Sequence, residues 1–133
     1  MAANKDILDK VGRISPHSIE AEEGVLGCML INNESVPKAI QLLDPKSFYS
    51  TNNSIVFENM VQLFDDNKKI DYISLSEQLK RNKQLKTIGG SYFVTGLSNN
   101  APSAHNVEYY AQIVKEKEIL RRIISVAIDI STE

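Results

Sequence analysis

The sequence predicts an all-α domain in which a compact head of several short helices is followed by one long helix. Apolar residues recur at helical spacing in successive segments, and short stretches rich in Asn, Gly and Pro separate these segments. Sustained alternation of polar and apolar residues is missing, as are Asn-Gly and Asp-Gly pairs, so strands and tight hairpins are not expected. We expect a flexible lead-in over residues 1–15, the helical head over residues 16–102 and the long helix over residues 103–133.

The first two helices of the head are predicted from signals at their N-terminal ends. Ser18 is a suitable N-cap residue, and Glu20 and Glu22 follow in the first turn, where a carboxylate interacts favourably with the helix dipole. This helix extends to about Ile31, and Glu22 is the one polar residue in its apolar stripe. A second, shorter helix is predicted over residues 34–43.

Three more helices complete the predicted head. The third extends from about Thr51 to Asp66, and its buried stripe is expected to consist of Val56, Met60, Leu63 and Phe64. Ser74 and Glu77 have the spacing of a capping box, which predicts that a fourth helix begins after Ser74. Gly89 and Gly90 break the chain before a fifth helix.

Composition and charge exclude several function classes. The 133 residues are 42% hydrophobic and 24% charged, which is ordinary for one folded domain. No apolar run reaches the roughly 20 residues of a membrane span, and the N-terminus has no apolar signal core, so we expect a cytoplasmic protein without a membrane partner. The single cysteine, Cys28, cannot form an internal disulfide, which fits a reducing compartment.

The charge distribution argues against a direct nucleic-acid site. The formal net charge is −2, whereas a duplex-binding module usually has a pI above about 9. One basic cluster is present on and after the fourth predicted helix, at Lys80, Arg81, Lys83 and Lys86. We interpret this cluster as a solvated helix end in preference to a nucleic-acid site.

Motifs for catalysis or for cofactor and metal binding are missing. A phosphate-binding loop needs a Lys after its glycines, but Gly90 is followed by Ser91 and Tyr92. Neither His17 nor His105 has a second His or Cys three or four residues away, so a zinc site is not expected. We therefore predict no catalytic, cofactor-binding or metal-binding residue in this chain.

The long helix is too apolar for the surface of a monomer. A surface helix needs an apolar stripe about 100° wide, but the apolar residues after Lys117 cover an arc of roughly 200°. They are Ile119, Leu120, Ile123, Ile124, Val126, Ala127, Ile128 and Ile130. We interpret the surplus as a surface for self-association or for a partner protein; the alternative is a helix sunk in its own core.

A set of short motifs occurs along the chain in a fixed order. They are residues 16–22 with Val25-Leu26-Gly27, then Phe48-Tyr49, Ile70-Asp71, Ile88-Gly89-Gly90, Pro102-Ser103-Ala104, and residues 110–114 leading to Leu120-Arg121-Arg122. Each motif alone is weakly specific. Together and in this order, over residues 15–133, they closely resemble the N-terminal domain of the DnaB-type replicative DNA helicases of bacteria.

The resemblance implies a fold and a function. In that family a helical head is followed by a helical hairpin, and six copies form a collar above a ring of ATPase domains and bind the helicase-binding domain of primase. By this resemblance the long helix is the first arm of a truncated hairpin, and the chain is the non-catalytic part of a helicase that unwinds DNA with ATP during chromosome replication. ATP and Mg²⁺ would belong to the missing motor domain.

The resemblance also implies partners, and the apolar surplus suggests where they bind. We expect a homodimer, a hexamer in the full protein, docking of primase at the fork, and a helicase loader as a further candidate partner. The candidate primase-docking residues are Phe93, Ile124 and Ile130. The candidate residues of the oligomer interface are Leu120, Ile123, Ala127 and Ile128.

Three alternatives to these assignments stay open. Phe93 could belong to the core, with the isoleucines facing only the missing hairpin helix. The domain could contact nucleic acid directly, or it could be an unrelated helical regulatory protein.

Overall fold

Helix α1 (Ile19–Ile31) lies at the centre of the fold and is buried along most of its length. The computed structural model describes residues 15–99, 101 and 103–132; the predicted lead-in therefore lies almost entirely outside the described residues. The remaining helices are α2 (Ser35–Leu42), α3 (Thr51–Asp65), α4 (Tyr72–Arg81), α5 (Ser91–Asn99) and α6 (Val107–Thr132), with a 3-10 turn at Pro45–Ser47. The predicted all-α class is confirmed, because the described residues contain no strand.

The packing around α1 makes one hydrophobic core. Helices α2, α3, α5 and α6 all contact α1, while α4 packs against α3 and α5. The predicted N-cap is confirmed, since the Ser18 side chain accepts a hydrogen bond from the backbone N–H of Ala21. The core is built mainly from aliphatic side chains of α1, α3 and α6 and also includes Phe57.

Glu22 is a buried carboxylate that joins α1 to the start of α3. Its two oxygens accept hydrogen bonds from the backbone N–H of Tyr49 (2.8 Å), the backbone N–H of Ser50 (3.2 Å) and the side-chain amide of Asn53 (3.0 Å). A buried charge is tolerated only when donors surround it in this way. The one polar residue in the α1 stripe is therefore a structural cross-link.

Two local predictions are wrong. Phe64 is 40% exposed, because it lies in the last turn of α3, whereas Phe57 lies in the middle of that helix and packs against Phe48 with ring centroids 4.8 Å apart. Helix α4 begins at Tyr72, and Asp71 is its N-cap. Ser74 is the third residue of that helix, and its hydroxyl accepts the second capping-box hydrogen bond from the Asp71 N–H, a role that the sequence predicts for Glu77.

Gly27 allows α1 and the end of α5 to approach closely. A Cβ atom at this position would collide with the carbonyl oxygen of Leu97 and come within 2.7 Å of the Ala101 Cβ atom. Gly96, within α5, has no atom within 4 Å of the place where its Cβ atom would be. Gly27 and Gly96 therefore differ in what they contribute to stability.

We expect Gly27→Ala and Gly96→Ala to change stability in opposite directions. Gly27→Ala should lower the free energy of unfolding by about 1–3 kcal/mol, because overpacking outweighs the gain in helix propensity. Gly96→Ala should raise it by about 0.5–1 kcal/mol, because it adds propensity without a clash. Urea denaturation of both variants measures the two values. Equal stabilisation by both substitutions would contradict the close approach at Gly27.

Candidate protein-binding surface

A group of polar contacts fixes α6 at the point where the helix leaves the head. The Glu118 side chain is 3% exposed, and its Oε1 accepts a hydrogen bond from the Ser47 hydroxyl at 2.7 Å. Lys115 and Arg122, one turn away on either side, donate to the same carboxylate at 3.2 and 2.7 Å. Burial alone would raise the pKa of Glu118, but the Ser47 hydrogen bond and the two positive charges outweigh burial and hold this pKa below its ordinary value.

Arg121 completes this attachment from the neighbouring position. Its guanidinium donates to the carbonyl oxygen of Pro16 at 2.8 Å and to that of Ser47 at 2.9 Å. The same guanidinium lies 5.7 Å from the centre of the Tyr49 ring, and the His17 ring stacks on this ring with centroids 4.0 Å apart. We call the contacts that Glu118 and Arg121 make with Ser47 and Pro16 the α6 clamp.

Helix α6 changes its polarity pattern at the clamp. One row of side chains, spaced four and three residues apart, is buried and mostly apolar up to Glu118 and entirely polar after it. We call it the head-facing row: Val107, Ala111, Val114, Glu118, Arg122, Ser125 and Asp129. A second row is polar before the clamp at Glu108, Gln112 and Lys115, and apolar after it. The apolar part, which we call the apolar row, consists of Ile119, Ile123, Val126 and Ile130.

The apolar row is exposed to solvent in this chain. Its side chains are 44–68% exposed, and Leu120 beside them is also 44% exposed. The row is about 17 Å long at 1.5 Å per residue. Contiguous exposed apolar side chains of this kind mark a binding surface.

The predicted oligomer-interface residues lie on two sides of α6. Leu120, Ile123 and Ala127 are exposed and belong to the same side as the apolar row. Ile128 is partly buried and lies on another side of the helix, roughly 140° away from Ile123 at 100° per residue.

The predicted primase-docking residues are separated in the same way. Ile130 is part of the apolar row, and Ile124 is partly buried. Phe93 is partly buried against the core and lines an open groove of about 260 Å³ between α1 and α5. The described lining residues of this groove are Glu23, Gly89, Tyr92, Phe93, Gly96 and Leu97. No described residue of α6 lines it, so Phe93 and the isoleucines form two surfaces of one chain.

Sequence reasoning missed several exposed or polar residues of this region. Tyr92 is 90% exposed at the edge of the groove, although the sequence only placed it within a helix. The clamp was also missed. A signal for Glu118 was present, because it is the one charged residue in the first half of the head-facing row.

The described residues include one cysteine and several residues of the types that bind metal ions. Among residues 15–99, 101 and 103–132, no group of His, Cys, Asp or Glu is arranged to hold a metal ion. Cys28 is fully buried, its thiol donates to the carbonyl oxygen of Ser103 at 3.2 Å, and burial raises the pKa of the thiol. Within the same part of the chain, no helix is both long and apolar enough to cross a membrane.

Fold and surface together define an all-α domain with an exposed apolar helix face. Residues 14–116 match the family model of the DnaB-like helicase N-terminal domain. The chain belongs to this family. The crystal structure of the N-terminal domain of DnaB helicase from Mycobacterium tuberculosis has the same fold, with a TM-score of 0.87 at 30% identity over 89% of this chain and 86% of that one.

Two further comparisons agree with the assignment. The replicative DNA helicase DnaB of Rhodothermus marinus is 38% identical over 117 residues, which are 88% of this chain and only 12% of that helicase. A solved N-terminal domain of DnaB helicase from Helicobacter pylori, described with its interactions with primase, covers 94% of both chains with a TM-score of 0.73. Its identity is 22%, so this likeness concerns the fold alone.

We expect the stability contributed by Glu118 to depend on pH. Because its folded pKa is lowered, this stability is fully present above the unfolded pKa of about 4.3 and is lost as the pH falls through the folded pKa. Glu118→Gln should therefore lower the free energy of unfolding by about 1–3 kcal/mol at pH 7, and its difference from wild type should shrink towards pH 3.

Urea denaturation at several pH values measures this difference. Glu116→Gln, which removes an exposed carboxylate two residues away, is the matched control and should change stability by less than about 0.5 kcal/mol. A constant deficit for Glu118→Gln from pH 7 to pH 3 would contradict the electrostatic role of Glu118.

Proposed function

We propose that this chain is a non-catalytic assembly and docking domain of a replicative DNA helicase. The observation that carries the proposal is the apolar row, which is exposed on a helix that the α6 clamp holds in a fixed direction. The relatives are helicases of which this domain is a small part. ATP hydrolysis and strand separation would then belong to the rest of such a protein, and pairing of copies into a hexameric ring would belong to this domain.

Self-association follows from the energetics of the apolar row. Burying apolar surface contributes roughly 25 cal/mol per Å², and the head cannot bury this row because the row faces away from it. A second copy offers the same row, and two-fold pairing is the commonest closed arrangement of identical chains. In the full-length protein we propose that a following helical arm and a second copy cover the row together.

Docking of primase is the second part of the proposal. Its support is the groove beside Phe93, together with the primase interactions described for the N-terminal domain from Helicobacter pylori. Exposed aromatic and aliphatic side chains next to a groove are the usual anchors of protein interfaces. Because Phe93 and Ile130 lie on separate surfaces of one chain, we propose that primase contacts both, with two copies of the domain contributing to one site.

We expect Phe93→Ala, Ile124→Ala and Ile130→Ala to weaken primase binding by the full-length helicase. Each anchor should lose about 2 kcal/mol, or roughly thirtyfold in affinity. The melting temperature should change little, most clearly for the exposed Ile130. Isothermal titration with the helicase-binding domain of primase measures the affinities.

Ile73→Ala is the matched control, because Ile73 is equally exposed but lies on α4. It should bind primase as well as wild type. Unchanged binding by all three variants, or early unfolding of each, would show that these positions belong to the fold and not to a docking site.

We also expect the chain itself to dimerise through the apolar row. Ile123→Lys should shift it to monomer, because a charge in the centre of an apolar interface is left desolvated and unpaired. Ser125→Lys, on the polar head-facing row, adds the same charge and should leave the dimer intact. Sedimentation equilibrium distinguishes these states, and a wild-type monomer across a hundredfold concentration range would count against the proposal.

A further inference from the structure

A basic cluster surrounds the C-terminal end of α4. Lys80, Arg81, Lys83 and Lys86 are all exposed, and within the described part of the chain none of them forms a salt bridge. No acidic residue occurs from Lys80 to Lys86. An open groove of about 370 Å³ lies between them, lined by Lys80, Lys83, Leu85 and Lys86. We call these residues the α4 basic groove.

The helix dipole explains only half of this cluster. Lys80 and Arg81 lie in the last turn of α4, where cations are favoured by the negative end of the dipole. Lys83 and Lys86 lie beyond the helix, outside the last turn in which that effect operates. The helix dipole therefore does not account for these two lysines.

Lys83 occupies a backbone position that favours glycine. It is the residue that follows the C-cap, with φ at +58°; its N–H bonds to the Lys80 carbonyl, and the N–H of Gln84 bonds to the Leu79 carbonyl. This is the Schellman arrangement, in which Gly or Asn is usual. The equivalent position after α3 holds Asn67, with φ at +57°. A lysine in the strained position keeps a cation in the groove at the expense of local stability.

The groove also contains one apolar side chain. Leu85 is partly buried against the core and lines the groove between the lysines. No aromatic side chain is among its described lining residues, whereas single-stranded nucleic acid is held by a basic groove together with stacking on such rings. Charge complementarity with an apolar contact fits an acidic peptide better than a phosphate backbone.

We propose that the α4 basic groove binds an acidic segment of a partner protein, with carboxylates on the lysines and an apolar side chain on Leu85. The surface is formed by α4 and the residues after it, away from the apolar row. The proposal therefore stands independently of the assembly and primase assignments.

The test separates binding from folding through Lys83→Gly. This substitution removes a groove cation and also places the favoured residue at the strained position. We expect the melting temperature to rise by roughly 3 °C. We expect the affinity for a fluorescein-labelled peptide of glutamates around one leucine to fall about threefold or more. Fluorescence anisotropy at low salt measures the affinity, which should weaken as salt is added.

Two controls match this variant. Asn67→Gly changes the equivalent backbone position without a charge, and Lys68→Gln removes a cation at the other end of α4; both should bind the peptide as wild type does. The double variant Lys80→Gln with Lys86→Gln, both exposed, should lose about tenfold in affinity without unfolding.

Two results would overturn the proposal. One is a peptide affinity that is undetectable, or that is the same in wild type and Lys83→Gly. The other is tighter binding of labelled oligothymidylate than of the peptide, with loss of that binding in Lys83→Gly, which would assign the groove to nucleic acid.

Discussion

The fold depends on a change in α6 at Glu118, where the apolar residues pass from one side of the helix to another. Up to this residue the helix completes the core with Val107, Ala111 and Val114, and after it the same row is polar. The second row of α6, which is polar before Glu118, is apolar from Ile119 onwards. A helix with this pattern cannot bury both apolar segments in one head, because they lie on different sides. Its first half is held by the head, and the apolar row of its second half is exposed.

The α6 clamp makes this division possible. Burial of the Glu118 carboxylate costs free energy unless hydrogen-bond donors surround it. Ser47, Lys115 and Arg122 supply these donors. Arg121 ties the same point to the backbone at Pro16 and Ser47. The direction of the second half of α6 is thereby set by these contacts, which give the apolar row a defined orientation relative to the head.

Local signals predicted the order of the helices and the Ser18 cap, because caps and periodicity act over a few residues. They failed where tertiary position decides: Phe64 and Phe57 have similar helix phases, and only the packing of Phe48 shows which is buried. The partners of the clamp residues were beyond such reasoning, since Arg121 is 74 residues from Ser47 in the chain. The sequence alone shows where the apolar residues of α6 change sides. The excess of apolar residues after Lys117 predicted an exposed surface.

Hydrogen–deuterium exchange along α6 tests this account most directly. A helix segment without tertiary contacts is weakly protected, whereas core segments are protected up to the global stability. We expect amides after Ser125 to exchange rapidly in dilute protein and to gain protection as concentration rises. Amides between Ala111 and Glu118 should be strongly protected at every concentration. Uniform protection along the whole of α6, independent of concentration, would show that its second half is covered within one chain and would contradict the account.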